Sequence, residues 1–122
     1  MADTAVHLTQ FTLNTATAKP AGTAIVAANN HVITPTKRSG KVLVRFINTT
    51  ASTKVWTVTA GGNPPADAAG QGVLDVSLTD GSTTPQETWL VLESSRFLKS
   101  NGTFVVTVAS GTTGFIEAFQ MP

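Results

Sequence analysis

The chain has 122 residues, of which 41% are hydrophobic and only 12% charged, against roughly 25% charged in an average globular domain. One domain with a modest core is the expectation, and a net charge of +1 gives no electrostatic basis for capturing nucleic acid or an anionic membrane. There is no cysteine, which excludes disulfides and thiolate metal sites, and the wealth of Thr, Ala, Val and Gly fits surfaces that lie against other protein.

The opening segment, MADTAVHLTQFTLNTATAKPAG, has neither a basic region nor a continuous apolar stretch. No cleaved export signal is expected there, and no apolar run in the chain is long enough to cross a bilayer. Residues 1–24 are read as an extended arm on a neighbouring subunit or as a first strand and loop, with 25–122 as a β-sandwich domain. Within them, HLTQFTL (7–13) alternates in the manner of a strand, and weaker strands are expected at TAIVAA (23–28) and HVIT (31–34).

KVLVRFIN (41–48) places Val42, Val44 and Phe46 on one face and Lys41, Leu43, Arg45 and Ile47 on the other. KVWTVTA (54–60) opposes Trp56 and Val58 to Thr57 and Thr59, and VLDVSL (73–78) opposes Leu74, Val76 and Leu78 to Asp75 and Ser77. ETWLVLE (87–93) is continuously apolar at its centre and reads as a strand covered on both sides. RFLKSNGTFVVTVA (96–109) carries Asn101-Gly102, the pair that favours a type I′ hairpin. GFIEAFQ (114–120) places Phe115 and Phe119 opposite Ile116 and Ala118. Seven to nine short strands with frequent turn signals predict an all-β, single-domain sandwich of the jelly-roll kind.

Motifs that carry chemistry are missing where they would be expected. AGGNPPADAAGQG (60–72) has glycines but no lysine, and Gln71 and Val73 stand where a phosphate loop needs Lys and Ser/Thr. A strand follows it, where a dinucleotide fingerprint needs a helix, so it reads as a connector stiffened by Pro64-Pro65. His7 and His31 share no ligand spacing with each other or with the seven acids, and DGSTTPQE (80–87) lacks the residue order of a calcium loop. No G-x-S-x-G elbow is present, and Glu93 and Arg96 read as an ordinary ion pair. Nothing singles out two acids as a glycosidase pair. Trp56 and Trp89, in apolar strands, read as core residues rather than as platforms for a sugar ring. Lys37, Arg38 and Lys41 make the one basic cluster, around Ser39-Gly40, and the sequons at Asn48 and Asn101 read as turn chemistry. The chain is expected to be no enzyme and to need no cofactor or metal.

From Gly40 onward the sequence resembles a family of small virion proteins of tailed bacteriophages and prophages. The likeness lies in the loop from Ala60 to Gly72, in ESSRFLKSNG (Glu93 to Gly102) and in GTTGFIEAF (Gly111 to Phe119), after a Thr/Ala-rich start. What the resemblance implies is a capsid decoration (cement) protein on the outer surface of the head, assembled in the bacterial cytoplasm. Its partner would be the major capsid protein, and it would form a homotrimer without nucleic acid or membrane. A tail, neck or head-fibre component with a role in carbohydrate adhesion is the alternative. On the first reading the contact residues would be Thr4, Val6 and Leu8 of the arm, Lys37 and Arg38 of the basic turn, and Asn63, Pro64 and Pro65 of the loop.

Overall fold

The computed structural model describes residues 2–37, 41–61 and 72–122. These contain ten strands: β1 (Asp3–Ala5), β2 (Leu8–Gln10), β3 (Thr23–Ala24), β4 (Asn30–Ile33), β5 (Lys41–Asn48), β6 (Lys54–Val58), β7 (Leu74–Leu78), β8 (Gln86–Glu93), β9 (Phe104–Val108) and β10 (Gly114–Gln120). One helical turn, α1 (Ser94–Phe97), follows β8. The strand that sequence periodicity does not reveal is β1, too short at three residues to show an alternation.

The strands form two mixed sheets of five. The first runs β1-β4-β9-β6-β7; the second runs β2-β10-β5-β8, with β3 also paired to β10. The pairs β1–β4 and β2–β10 are parallel, and the other pairs are antiparallel. Each sheet turns one side inward, so residues of a single parity on each strand meet in one core. Ile33, Trp56, Val58, Phe104 and Val106 come from the first sheet, and Val42, Val44, Phe46, Leu92 and Ile116 from the second; all are fully buried. The Phe46 and Trp56 rings, one from each sheet, lie 4.8 Å apart. Each such side chain contributes roughly 1.5–3 kcal/mol by leaving water. This is an all-β architecture compatible with a β-sandwich.

The faces read from β5, β6, β7 and β10 agree with the burial pattern: Val42, Val44 and Phe46 point inward, as do Trp56 and Val58, Leu78, and Ile116 with Ala118. Two expectations are corrected. First, β8 is not covered on both sides. It stands at the end of its sheet, and its burial alternates, with Trp89 54% and Val91 53% exposed while Leu92 is fully buried. Trp89 is therefore not a core residue. Second, Asn101-Gly102 does not make a type I′ hairpin between two strands. Leu98 and Lys99 follow the helical turn instead, and the Lys99 carbonyl accepts from Gly102 N–H at 2.9 Å while Lys99 N–H donates to Thr103 at 2.8 Å. Gly102, at φ 85°, is the one left-handed residue of this turn. That is the three-residue loop with a bulge glycine, in which only one position needs a positive φ. Asn101 serves by its side chain, whose Oδ1 accepts from the Thr103 hydroxyl at 2.7 Å.

The residues before β3 belong to the same body. β1 adds to β4, β2 adds to β10, and Val6 between them is 7% exposed within the core. Phe11 to Gly22 then form no regular structure and cross the outer side of β10. Among the described residues no helix is long and apolar enough to cross a membrane.

Candidate functional site

The outward side of the second sheet carries large apolar groups that face solvent. Strand register sets its layout, since one parity of each strand faces the core and the other must face out. Phe119, Leu43 and Val91 lie side by side across β10, β5 and β8, with Val91 exposed, Leu43 half-buried and Phe119 buried beneath its aromatic neighbours. The next row is Glu117, Arg45 and Trp89. Phe115 and Met121, both 41% exposed, extend the apolar surface along β10 and past its end.

Aromatic stacking ties these rows together. Phe11 stacks on Phe119 with centroids 5.1 Å apart, and Trp89 lies 6.1 Å from Phe119 on the other side. The Arg45 guanidinium sits over the Trp89 ring, 5.4 Å from its centroid. The ring is thereby held against the sheet while much of it stays open to solvent.

Beneath this surface lies a charge cluster with two acids and two cations. Glu117 is only 1% exposed at its side chain, and its carboxylate accepts from Arg45 at 2.6 Å and from Lys19 at 3.0 Å. Arg45 also pairs with Glu87. A buried carboxylate without such partners would be strongly unfavourable, so the cluster fixes the positions of all four residues. Lys19 belongs to the segment that crosses β10, which is pinned at its start by Phe11 N–H donating to the Gln120 carbonyl at 2.9 Å. Gly22 ends the crossing, close enough to Phe115 that a Cβ there would stand 2.9 Å from its Cβ. Between these anchors Leu13 is 71% exposed.

Beside the aromatic rows a shallow cleft of about 430 Å³ is lined by Lys41, Leu43, Val91, Glu93 and Met121. Its floor is apolar and its rim carries both signs of charge. Such a surface can hold a partner by shape and apolar contact, with orientation set by the charged rim.

Among the described residues no group of three or more His, Asp or Glu could hold a metal ion. His31 is fully buried and its Nε2 accepts from Val26 N–H at 3.1 Å, which assigns the ring proton to Nδ1. Burial holds its pKa below the ordinary 6.5 and outweighs the backbone of Val106, which pulls the other way. Asp80 is held below its ordinary value by the backbone and hydroxyl of Ser82, a turn contact on the surface.

Of the residues expected to make protein contacts, Thr4, Val6, Leu8 and Lys37 lie among the described residues. Thr4 is half-buried on β1, where its Oγ1 accepts from Asn29 at 3.0 Å. Val6 is in the core, and Leu8 packs against that core from β2. These three hold their own domain together. Lys37 is exposed, while Arg38, Asn63, Pro64 and Pro65 lie outside the described residues. The aromatic surface was missed because the apolar run hides its alternation. The acids give the signal: Glu87 and Glu93 share the parity of Trp89 and Val91, which marks that side of β8 as the wet one.

Protein-family models, curated proteins and solved structures were all compared with the chain, and none matches it.

Proposed function

We propose that the chain is a structural component that acts by adhesion to other proteins: a capsid decoration protein of a tailed bacteriophage, bound to the outer surface of the major capsid protein lattice as a homo-oligomer. The observation that carries the adhesive part is the outward side of the second sheet, where Trp89 and Val91 are each more than half exposed on a braced surface. Isolated apolar residues at a surface are ordinary, but a contiguous group braced by an ion cluster around the buried Glu117 is costly to maintain without a partner. The resemblance along the later part of the chain supports the virion context.

The fold is read as a jelly roll. Strands β3 to β10, taken as its eight strands, fall into β3-β10-β5-β8 and β4-β9-β6-β7, with every neighbouring pair antiparallel. On that reading β1 and β2 are parallel additions at the edges. The role needs no enzyme chemistry, no cofactor and no export. It needs a rigid domain whose weak contacts are multiplied over a lattice.

A tail or fibre component that adheres to carbohydrate is the second reading, favoured by the exposure of Trp89 beside the polar groups of Arg45 and Glu87. A flat aromatic face flanked by hydrogen-bonding groups suits a sugar ring. Co-sedimentation of the purified protein with expanded heads that lack it tests the first reading. Saturation at a fixed number of copies per capsomer is expected; absence of binding, with retention on immobilised glycans, would replace it by the second.

A further inference from the structure

β8 is the end strand of its sheet and is eight residues long. The direction of its backbone groups follows from β5, its neighbour. Thr49 N–H donates to the Thr113 carbonyl and Met121 N–H donates to the Lys41 carbonyl, so the odd-numbered positions along β5 bond towards β10. The even-numbered ones then bond towards β8, whose partners are Gln86, Thr88, Leu90 and Leu92. The N–H and C=O groups of Glu87, Trp89 and Val91 therefore point out from the edge. Among the described residues none makes a hydrogen bond to them.

Protein edges of this length are normally blunted by a proline, a bulge, an inward lysine or a covering segment. β8 has none of the first three, and the segment that crosses the sheet passes over β10. The same residues that offer free backbone groups also carry the exposed Trp89 and Val91 side chains. A second strand laid along this edge would satisfy both at once.

We infer that β8 is a self-pairing edge, which joins two copies of the chain antiparallel about a two-fold axis at Leu90. In that register Trp89 stands opposite Val91 of the partner subunit and Val91 stands opposite the partner's Trp89, both in positions whose outward backbone groups bond to each other. Aromatic and β-branched residues make favourable cross-strand pairs. Moving the axis to Trp89 would set Val91 against the partner's Glu87, and moving it to Val91 would set Trp89 against the partner's Glu93. Both put an apolar side chain on an acid. The preferred register sets Glu87 opposite the partner's Glu93, a like-charge pair moderated because Glu87 is already paired with Arg45 and Glu93 lies across from Lys41 on its own sheet. The result is one continuous sheet whose outer side joins the two aromatic surfaces.

An edge contact of one strand belongs with the small interfaces, below ~1,200 Å² in total, so association in the micromolar range is expected. The full chain is tested by sedimentation equilibrium across roughly 1–200 µM. A monomer–dimer equilibrium is expected, and Trp89→Glu should weaken it by about tenfold or more without changing the circular dichroism spectrum. Val91→Pro should abolish it, since it removes an outward N–H while edge positions tolerate proline. Register is read separately: in a chain without cysteine, Leu90→Cys should oxidise to a linked dimer and Val105→Cys, on the other sheet, should not. A protein that stays monomeric throughout, a dimer indifferent to both Trp89→Glu and Val91→Pro, or a closed trimer as the only species would each overturn the inference. The closed trimer would leave the decoration reading intact, because binding to heads is measured independently.

Discussion

Gly81 sits where two backbones nearly touch. A Cβ placed on it would stand 1.8 Å from the carbonyl oxygen of Asn48, which no local shift of a side chain can relieve. Asn48 is itself fully buried, and its amide nitrogen donates to the Thr79 carbonyl at 2.8 Å while its Oδ1 accepts from Thr50 N–H at 3.1 Å. One side chain thus joins the turn after β5 to the turn after β7, and Gly81 closes the joint through its own N–H to the Thr50 carbonyl at 2.9 Å. Gly81→Ala is expected to cost about 2–4 kcal/mol, as overpacking against fixed backbone does. The midpoint of a urea titration measures it, and a change within about 0.5 kcal/mol would show that the joint yields. The sequence marks DGS only as a turn. That its glycine is required by a carbonyl from a distant strand depends on how the two turns meet, which no local pattern encodes.

At the scale of elements, periodicity reveals a strand when one face is plainly wet and fails when the alternation is masked or the strand is very short. β7 is legible because Asp75 and Ser77 interrupt Leu74, Val76 and Leu78 at every second place, and β5 because Lys41 and Arg45 share one parity and mark it as the wet side. β8 was misread because Trp89, Leu90, Val91 and Leu92 hide a two-sided strand in an unbroken run. The turn at Asn101-Gly102 was placed correctly but given the wrong type, since the sequence cannot show that α1 would precede it in place of a strand. β1 shows no such signal, whereas β2 lies within the alternation of 7–13; what the sequence does not show is their parallel pairing with β4 and β10. This changes what removal of the N-terminal residues should do. Loss of residues 2–10 deletes two strands and uncovers the pocket of Val6, worth roughly 1.5–3 kcal/mol by burial alone. The melting temperature should fall by about 10 °C or more. A free arm would come away with no change in melting, and differential scanning calorimetry separates the two outcomes.

For the molecule as a whole, His31 couples the stability of the fold to pH. It lies on β4 between β1 and β9, opposite Thr4 on one side and Val106 on the other, with no exposure to solvent. Its neutral ring accepts the Val26 N–H and so ties the turn before β4 to the sheet. Protonation would place a proton where that bond is made and a charge where no water reaches. The unfolded chain takes up this proton near the ordinary 6.5, whereas the folded chain resists it to lower pH. Between those two values the unfolded state binds more protons, so stability falls as the pH is lowered. The contribution is complete above 6.5 and is lost progressively below it until the folded pKa is passed. One group can give a slope of at most about 1.4 kcal/mol per pH unit. Urea titrations from about pH 7.5 down to about pH 5.5 should therefore show a declining free energy of unfolding in the natural chain. In His31→Gln, whose amide oxygen can accept the same N–H without titrating, the curve over that interval should flatten. A decline of equal steepness in both proteins would assign the acid sensitivity to another group and leave His31 a merely buried ring.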